Sequence, residues 1–281
     1  MADATPSDTG EELETITAPD GTSIAFERTG SGPPLVLVHG SAGDHTRWEL
    51  SGVRPAFAEQ FTVYAMDRRG RGESGDADEY ALDREAEDVA AVVDAISDPV
   101  ALLGHSFGAL CALEAALRTD GIRRLVLYEP PILVGDSELY TEDVLTEMET
   151  LLEDGENERA LVSFLRDVAK IPPAQIDTLR AAPNWQTRVD AAHTLPRETR
   201  APTEYVLDAS RFANLTTPTL LLSGGESPPL YAAATEAVAD ALPNSRLVTF
   251  DGHAHVAMNT APERFVDEVL AFALESEDET D

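Results

Sequence analysis

Nine consecutive residues, Val100-Ala101-Leu102-Leu103-Gly104-His105-Ser106-Phe107-Gly108, indicate the fold more clearly than any other segment of the chain. Its first four residues are apolar, which predicts a buried strand, and the small-residue run that follows predicts a helix over residues 107–118. Between them, Gly104 to Gly108 fits the G-x-S-x-G pattern of a sharp strand-to-helix turn. Such a turn leaves no room for side chains at its glycines and strains the backbone of its serine. Ser106 is therefore predicted to stand above a sheet, beside a helix N-terminus that favours developing negative charge.

Strand-sized apolar runs alternate with amphipathic helical stretches on both sides of this turn. The further predicted strands are residues 23–27, 35–38, 62–65, 125–127, 219–222 and 246–250, and the further predicted helices are residues 83–96, 231–242 and 262–274. Several of the strands are apolar throughout, as expected when helices cover both faces of a parallel sheet. The predicted fold class is therefore α/β, with a mostly parallel central sheet and helices on both faces.

The alternation stops between residues 135 and 211, where acidic helical runs are broken by prolines. An all-helical insertion in a parallel sheet is expected over the carboxyl ends of the strands, where such sheets bind ligands, so we interpret it as a lid. The catalytic core is then predicted to comprise residues 13–134 and 212–275, since 281 residues suit one hydrophobic core with an inserted sub-domain. The acidic ends, residues 1–12 and 276–281, are predicted to be disordered tails.

Acidic residues outnumber basic residues by 52 to 20, and the resulting net charge of −32 far exceeds what solubility requires. This charge argues against nucleic acid as a partner, because phosphate binding needs clustered positive charge. Self-repulsion destabilises such a chain unless counter-ions screen it, so we interpret the composition as adaptation to a very salty cytoplasm. No apolar run approaches membrane-spanning length and the N-terminus does not resemble a secretory signal, which predicts a cytoplasmic protein without membrane association. The single cysteine, Cys111, is interpreted as a small buried hydrophobe.

A serine hydroxyl is a weak nucleophile until a base takes its proton, and histidine is the usual base. Two of the six histidines come too early for the chain order serine, acid, histidine: His39 and His45. His105 lies inside the turn itself. His253 and His255 both fall in the loop between the last predicted strand and the last predicted helix. The candidates for the base are therefore His255, which we favour, and His253.

The sequence resembles the α/β-hydrolase superfamily, in its branch with a helical lid, over roughly residues 20–275. Besides the Ser106 turn, the resemblance rests on His39-Gly40-Ser41, on Asp67-Arg68-Arg69-Gly70-Arg71-Gly72-Glu73-Ser74, and on Gly252-His253-Ala254-His255 followed by Ala261-Pro262-Glu263. It implies His255 as the base, because in similar proteins the catalytic histidine ends a Gly-x-x-His-like turn shortly before such a Pro-Glu helix start. It also implies that the backbone N–H groups of Ser41 and Phe107 form the oxyanion hole.

The acid is where the chain departs from the commonest pattern of similar proteins, which place an aspartate in a Gly-x-x-Asp arrangement after the 219–222 strand. Here the residues are Gly224-Gly225-Glu226-Ser227, with Ser227 at the usual acid position. Two carboxylates could compensate: Glu226, one residue earlier, or Glu129, which ends an earlier strand as the acid of certain dehalogenases does. The acid must be buried and fixed to hold the imidazole in the right tautomer, and a strand end followed by two prolines suits that requirement. We therefore predict Glu129, with Glu226 as the alternative.

The resemblance implies a serine hydrolase that transfers acyl groups from small, partly apolar carboxylic esters or lactones, without a metal or organic cofactor. The alternatives are a C–C bond hydrolase or perhydrolase with the same triad, and a non-catalytic hydrolase-like ligand sensor. Epoxide hydrolase and dehalogenase activities are disfavoured, because those relatives carry aspartate where this chain has Ser106. The arginine-rich loop over residues 68–72 is interpreted as a solvated or ion-paired structural turn rather than an anion site. Trp48 and Trp185 are interpreted as lining a pocket or packing in the core.

Overall fold

The structure, a computed structural model, describes residues 12–135 and 139–275. Within them the chain forms one sheet of eight strands, in the spatial order β1-β2-β4-β3-β5-β6-β7-β8. The strands are β1 (Glu12–Thr17), β2 (Ser23–Gly30), β3 (Pro34–Val38), β4 (Thr62–Met66), β5 (Val100–His105), β6 (Ile122–Tyr128), β7 (Thr219–Gly224) and β8 (Ser245–Phe250). The β1–β2 and β2–β4 pairs are antiparallel, and every pair from β4 to β8 is parallel. The α/β class and the mostly parallel sheet are therefore as predicted.

Helices connect the parallel strands and cover both faces of the sheet. The α-helices are α1 (Thr46–Leu50), α2 (Val53–Ala58), α3 (Leu82–Asp94), α4 (Phe107–Ala115), α5 (Glu142–Glu153), α6 (Asn157–Ser163), α7 (Pro173–Arg180), α8 (Trp185–Asp190), α9 (Leu195–Glu204), α10 (Ala209–Phe212), α11 (Pro229–Ala241), α12 (Ala257–Thr260) and α13 (Pro262–Ala273). A π-helical turn, Phe164–Val168, continues α6, and a 3₁₀ turn, Ala191–Thr194, precedes α9. None of the described helices is long and apolar enough to cross a membrane.

The central strands are buried on both sides because successive side chains of a strand point to opposite faces of the sheet. In β3, Val36 and Val38 pack into the apolar cluster that includes α3, α4 and α11. Leu35 and Leu37 of the same strand pack into the opposite cluster, with α1, α2 and α13. Continuous apolar runs such as this one are the pattern from which the two-sided core is predicted.

Between β6 and β7, the described residues form the helices α5 to α10 and no strand. Helices α5 to α9 share an apolar cluster of their own, which includes Met148, Leu161 and Phe164. Phe212 of α10 packs instead in the core beside the sheet. Ala42, in the loop after β3, belongs to the cluster of α5 to α9. The helical segment therefore packs against the carboxyl end of the sheet, where the loops after the parallel strands emerge.

The sequence pattern predicts no strand before residue 23, and this prediction is wrong, because Glu12–Thr17 form β1. Its residues alternate between more and less exposed positions, as expected for an edge strand with one face toward solvent. A short strand of this kind carries few apolar residues, so its sequence reads like a polar tail. The predicted tails lie outside the described residues, apart from Glu12, which begins β1.

The arginine-rich loop is ion-paired, as predicted, but it is buried rather than solvated. Its three arginines are at most 2% exposed. Their ion pairs are Arg68 with Glu85 at 2.7 Å, Arg69 with Asp88 at 2.6 Å and Arg71 with Glu198 at 2.8 Å.

Cys111 is fully buried, as predicted. Trp48 packs in the sheet core, and Trp185 packs against the helical cluster.

Candidate active site

Ser106 occupies the strained turn between β5 and α4, with φ 54° and ψ −124°. The turn is this tight because its glycines are in contact with backbone on every side. A Cβ atom on Gly104 would lie 2.4 Å from the carbonyl oxygen of Gly108, and one on Gly108 would lie 2.4 Å from the carbonyl oxygens of Val38 and His39. Side chains at these two positions would displace backbone atoms, so the spacing of the glycines is a steric requirement of the turn.

Two backbone N–H groups beside Ser106 donate to no other protein atom within the described part of the chain. One belongs to Phe107, the first residue of α4, and the other to Ser41, in the loop after β3. A Cβ atom on Gly40 would lie 2.9 Å from the Ser106 Cβ, so this loop packs directly against the serine. Free N–H donors next to a hydroxyl are what the stabilisation of an oxyanion requires.

A short hydrogen bond joins Glu129 to His255, two residues that are 126 positions apart in the chain: His255 Nδ1 donates to Glu129 Oε2 over 2.5 Å. Because Nδ1 carries the proton, the neutral ring has its lone pair on Nε2. His255 and Ser106 line the same cavity. Among the described residues no hydrogen bond joins their side chains, and enzymes without substrate commonly close this contact only on binding.

The Glu129 carboxylate is fully buried and is fixed by four donors. Its Oε1 accepts from the Gly224 N–H at 2.6 Å and from the Ser223 hydroxyl at 3.2 Å. Its Oε2 accepts from the Ser227 hydroxyl at 3.0 Å, in addition to His255. Buried carboxylates need such partners because their desolvation is costly. Ser227, which stands where similar proteins carry an aspartate, thus supports a carboxylate that comes from the end of β6.

Glu226 and His253, the alternative acid and base, take no part in the Glu129–His255 contact. Glu226 is exposed, and within the residues that the structure describes its carboxylate makes no hydrogen bond or ion pair. Its backbone N–H donates to the His253 carbonyl over 2.9 Å. The His253 ring lies 2.9 Å, Nδ1 to Oγ1, from Thr260. The structure thus brings Glu129 and His255 together and leaves the two alternatives apart from them.

The imidazole of His255 lies among aromatic rings from three elements: Tyr231 of α11, His105 of β5 and, at 6.1 Å between ring centroids, Tyr128 of β6. Tyr231 of α11 stacks on it with 4.2 Å between ring centroids and 22° between the planes, and the His105 ring lies at 4.7 Å. His105 Nε2 donates to the His255 carbonyl over 2.8 Å, and the Tyr128 hydroxyl donates to the Ala254 carbonyl over 2.6 Å. Sequence reasoning missed Tyr231 and Ser227. Tyr231 lies on the apolar face of a helix, and a tyrosine there can pack in the core or contact a distant loop. The local sequence pattern is the same in both cases.

His39 and His45, which the chain order excludes as bases, contact other groups. His39 is fully buried, its Nδ1 donates to the Gly40 carbonyl over 2.8 Å, and its Nε2 accepts from the Arg68 N–H. Burial lowers the pKa of His39 to about 3, so this ring is neutral at physiological pH. Burial alone would lower the pKa of His45, but its hydrogen bond to the Asp67 carboxylate, at 2.9 Å, raises it.

A cavity of about 560 Å³ lies at the carboxyl end of the sheet, where Ser41, Ser106, Phe107 and His255 line it. The helical segment contributes mainly apolar side chains to its wall, including Phe164, Leu165, Val168, Ile171 and Leu179. A cavity of this size and lining suits a small molecule with an apolar part. Ligands of open α/β sheets bind at this edge, since the loops that follow parallel strands converge there.

The chain belongs to the α/β-hydrolase family. The model of the Alpha/beta hydrolase family matches residues 35–268, from β3 to α13, and so includes the Ser106 turn, the end of β6 and the loop that carries His255.

Solved structures of similar proteins cover nearly the whole chain. An alpha/beta hydrolase from Sphaerobacter thermophilus is 37% identical with a TM-score of 0.78, over 90% of this chain and 99% of that chain. The esterase RhEst1 from a Rhodococcus species is 29% identical with a TM-score of 0.72, over 92% of this chain and 98% of that chain.

Curated relatives are matched over very different shares of their length. Proteins named probable oxidoreductase EphD in Mycobacterium bovis and Mycobacterium tuberculosis are 33% identical over 120 residues, which is 40% of this chain but 20% of those proteins. The pimeloyl-[acyl-carrier protein] methyl ester esterase of Aeromonas hydrophila is 26% identical over 273 residues, which is 89% of this chain and 99% of that protein.

Proposed function

We propose that the protein is a serine hydrolase in which Ser106 is the nucleophile, His255 the base and Glu129 the acid. The observation that carries this proposal is the 2.5 Å hydrogen bond from His255 Nδ1 to the buried Glu129 carboxylate, beside a cavity that Ser106 also lines. A carboxylate in this position fixes the tautomer of the imidazole and stabilises the imidazolium that forms during the reaction. Glu129 is favoured over Glu226 because, of the two, only Glu129 is buried and has its carboxylate hydrogen-bonded to a histidine ring.

The reaction proceeds by acyl transfer. His255 Nε2 takes the proton of Ser106 as the serine Oγ attacks the carbonyl carbon, and the N–H groups of Ser41 and Phe107 donate to the resulting oxyanion. The imidazolium gives its proton to the leaving alkoxide, which departs as an alcohol and leaves an acyl-serine. Water, deprotonated by the same nitrogen, then attacks the acyl group, and release of the acid returns the proton to Ser106.

Small, partly apolar carboxylic esters or lactones are the proposed substrates. The cavity of about 560 Å³ supports this, and so do the apolar side chains of the helical segment that line it. Similar proteins whose names state an ester substrate point the same way. We infer that residues 135–211 act as a lid, since an enclosed site excludes water from the reacting groups.

A serine-directed fluorophosphonate probe tests the catalytic proposal directly. The native protein in concentrated potassium chloride is expected to be labelled and to hydrolyse 4-nitrophenyl hexanoate, because the probe and the ester react with the same activated hydroxyl. The Ser106→Ala variant is expected to do neither, whereas Ser245→Ala, at the edge strand β8, keeps both activities. A folded native protein that is neither labelled nor active on esters would contradict the proposal and favour the non-catalytic ligand sensor.

We also propose that the protein is adapted to a cytoplasm rich in salt. Its support is the net charge of −32, which makes the folded state repel itself unless counter-ions are dense around it. The melting temperature is expected to rise by several degrees between dilute buffer and 2 M potassium chloride, well past the concentration of about 0.1 M at which exposed charges are screened beyond 10 Å. Calorimetry in potassium chloride and in equimolar sucrose separates charge screening from general solute effects. A melting temperature in 2 M potassium chloride that is equal to or lower than the value in dilute buffer argues against the adaptation.

A further inference from the structure

Two arginines on the wall of the candidate active-site cavity form no ion pair within the described residues. They are Arg47 of α1 and Arg188 of α8. Four buried arginines elsewhere are each paired with a carboxylate: Arg54 with Glu27, Arg68 with Glu85, Arg69 with Asp88 and Arg71 with Glu198. A fifth, Arg124, does not line the cavity; it donates to the Glu275 carbonyl over 3.0 Å and packs over the Phe272 ring. In a chain with 52 acidic residues, two cations at the cavity without a carboxylate partner are not explained by composition.

The contacts that the two guanidinium groups do make leave most of their donors free. Arg47 Nη2 lies 3.3 Å from the sulfur of Met258, and Arg47 Nε is buried without a hydrogen-bond partner. Arg188 is 7% exposed, and it donates to the Ala42 carbonyl over 2.7 Å and to Asn184 Oδ1 over 3.4 Å. A guanidinium has five N–H donors in a planar fork, so both side chains retain donors for an anionic partner.

Two carboxylates near this pair of arginines, Asp44 and Glu198, form no ion pair with either of them among the described residues. Burial lowers the pKa of Arg47 to about 10, and the charge of Arg188 acts in the same direction. Burial also lowers the pKa of Arg188. Arginine side chains keep their proton in proteins, so both are treated as cations. Asp44 partly offsets the two charges, but its Oδ1 accepts from the backbone N–H of Thr46 over 2.9 Å. Glu198, which also lines the cavity, forms ion pairs with Arg68 and Arg71, each at 2.8 Å. The single charge of Asp44 cannot balance two cations, and positive charge that is removed from water without a counter-charge is costly, so a bound anion offsets that cost.

The cations lie within reach of the reacting groups. Arg47 is close enough to His105, the residue before Ser106, for its charge to contribute to lowering the His105 pKa, after the larger effect of burial. Both arginines line the same cavity as Ser106, and the apolar side chains of Phe164 and Val168 line it as well. One molecule of moderate size can therefore contact the serine, the apolar wall and the arginines together.

We propose that Arg47 and Arg188 bind a carboxylate of the substrate, so that the protein acts on acyl compounds that carry a second, ionised carboxyl group at the end of a short hydrocarbon chain. This rests on the proposed serine hydrolase function and specifies its substrate class. Arginine binds carboxylates through two parallel, charge-assisted hydrogen bonds, which fix the orientation of the ligand as well as its charge. The carbonyl to be attacked then lies at the other end of the chain, at Ser106.

Two esters that differ only at the terminal group test the proposal: mono-4-nitrophenyl adipate, which ends in a carboxylate, and 4-nitrophenyl hexanoate, which ends in a methyl group. The native protein is expected to have a kcat/KM at least about tenfold higher for the adipate. Arg47→Gln and Arg188→Gln are each expected to lower kcat/KM for the adipate by about tenfold to a hundredfold and to change that for the hexanoate by less than about threefold. Arg159→Gln, which removes the same charge from the exposed surface of α6, is expected to change neither value.

Equal losses on both esters in the arginine variants, or a native preference for the hexanoate, would overturn the proposal and assign the arginines a structural role. Arg188→Gln also removes the hydrogen bond to the Ala42 carbonyl and can therefore lower the melting temperature. If it does, the test rests on Arg47→Gln, since the only hydrogen bond of the Arg47 guanidinium among the described residues is to the sulfur of Met258.

Binding to the Ser106→Ala variant separates this proposal from the catalytic one. Calorimetric titration with adipate is expected to show binding that is lost in the Ser106→Ala/Arg47→Gln double variant, whether or not the native protein cleaves esters. Ester hydrolysis without any preference for the carboxylate would leave the serine hydrolase proposal standing and remove this one. Adipate binding without hydrolysis would contradict the serine hydrolase proposal and would retain only the binding of a carboxylate by the two arginines.

Discussion

Alanine in place of Ser106 is expected to reduce kcat for 4-nitrophenyl hexanoate by about 10⁴-fold or more, and alanine in place of His255 by a similar factor. The two side chains act as one unit in the proposed mechanism, because the hydroxyl attacks only while the imidazole takes its proton. The double variant Ser106→Ala/His255→Ala is therefore expected to be no slower than either single variant, since a unit that has lost one member has little more to lose.

His253→Ala is the matched control for this prediction. His253 lies in the same loop and pairs with Thr260 rather than with Glu129, so its removal is expected to change kcat by less than about threefold. Initial rates, with circular dichroism to verify that each variant is folded, provide the measurement. A large loss in His253→Ala together with a nearly intact rate in His255→Ala would assign the base to the other histidine.

Glutamine in place of Glu129 is expected to lower kcat by about 10³- to 10⁴-fold, as seen when the triad carboxylate is replaced by an amide elsewhere. The amide keeps the shape of the side chain but removes the charge that stabilises the imidazolium. An NH₂ group in place of Oε2 donates and cannot accept from His255 Nδ1, so it favours the tautomer with the proton on Nε2, which cannot act as the base. The measurement is kcat for the hexanoate ester, since a defect in proton transfer lowers kcat more than it raises KM.

Glu226→Gln is the matched control, because it makes the same chemical change one residue from the usual acid position, on an exposed side chain. Its kcat is expected to stay within about twofold of the native value, as for most surface substitutions. Glu129 is fully buried among four donors, so the melting temperature of Glu129→Gln is measured in parallel. A folded Glu129→Gln protein with a nearly native rate would show that Glu129 is not the acid. A slow Glu226→Gln protein would assign the acid to Glu226.

Much of the fold was predictable because its decisive patterns are local. A strand that is buried on both faces is apolar at every position, and this property of β3 and β5 can be read without knowing their neighbours. The requirement for Gly104 is equally local, since the backbone atoms that exclude a Cβ there come from Gly108 and Ala109, whereas Gly108 is crowded by Val38 and His39 of a distant segment. β1 escaped prediction because an edge strand has one solvated face and therefore little apolar sequence.

The partners within the candidate site were harder to predict, because they come from chain segments that are distant in sequence. Glu129 could be named beside Glu226 from the ends of two strands, but the choice between them depends on which strand end faces the His255 loop. Ser227 and Tyr231 carry no local mark of their contacts with Glu129 and His255.

The fold class, the sharp turn at Ser106 and a short list of histidines and carboxylates follow from local sequence patterns, because each pattern involves residues within a few positions of one another. Two contacts are visible only in the folded chain: the carboxylate of Glu129 meets a ring 126 residues further along, and Arg47 and Arg188 share a cavity with the serine. The physical reason is the parallel sheet, which places the ends of strands from distant parts of the chain at one edge.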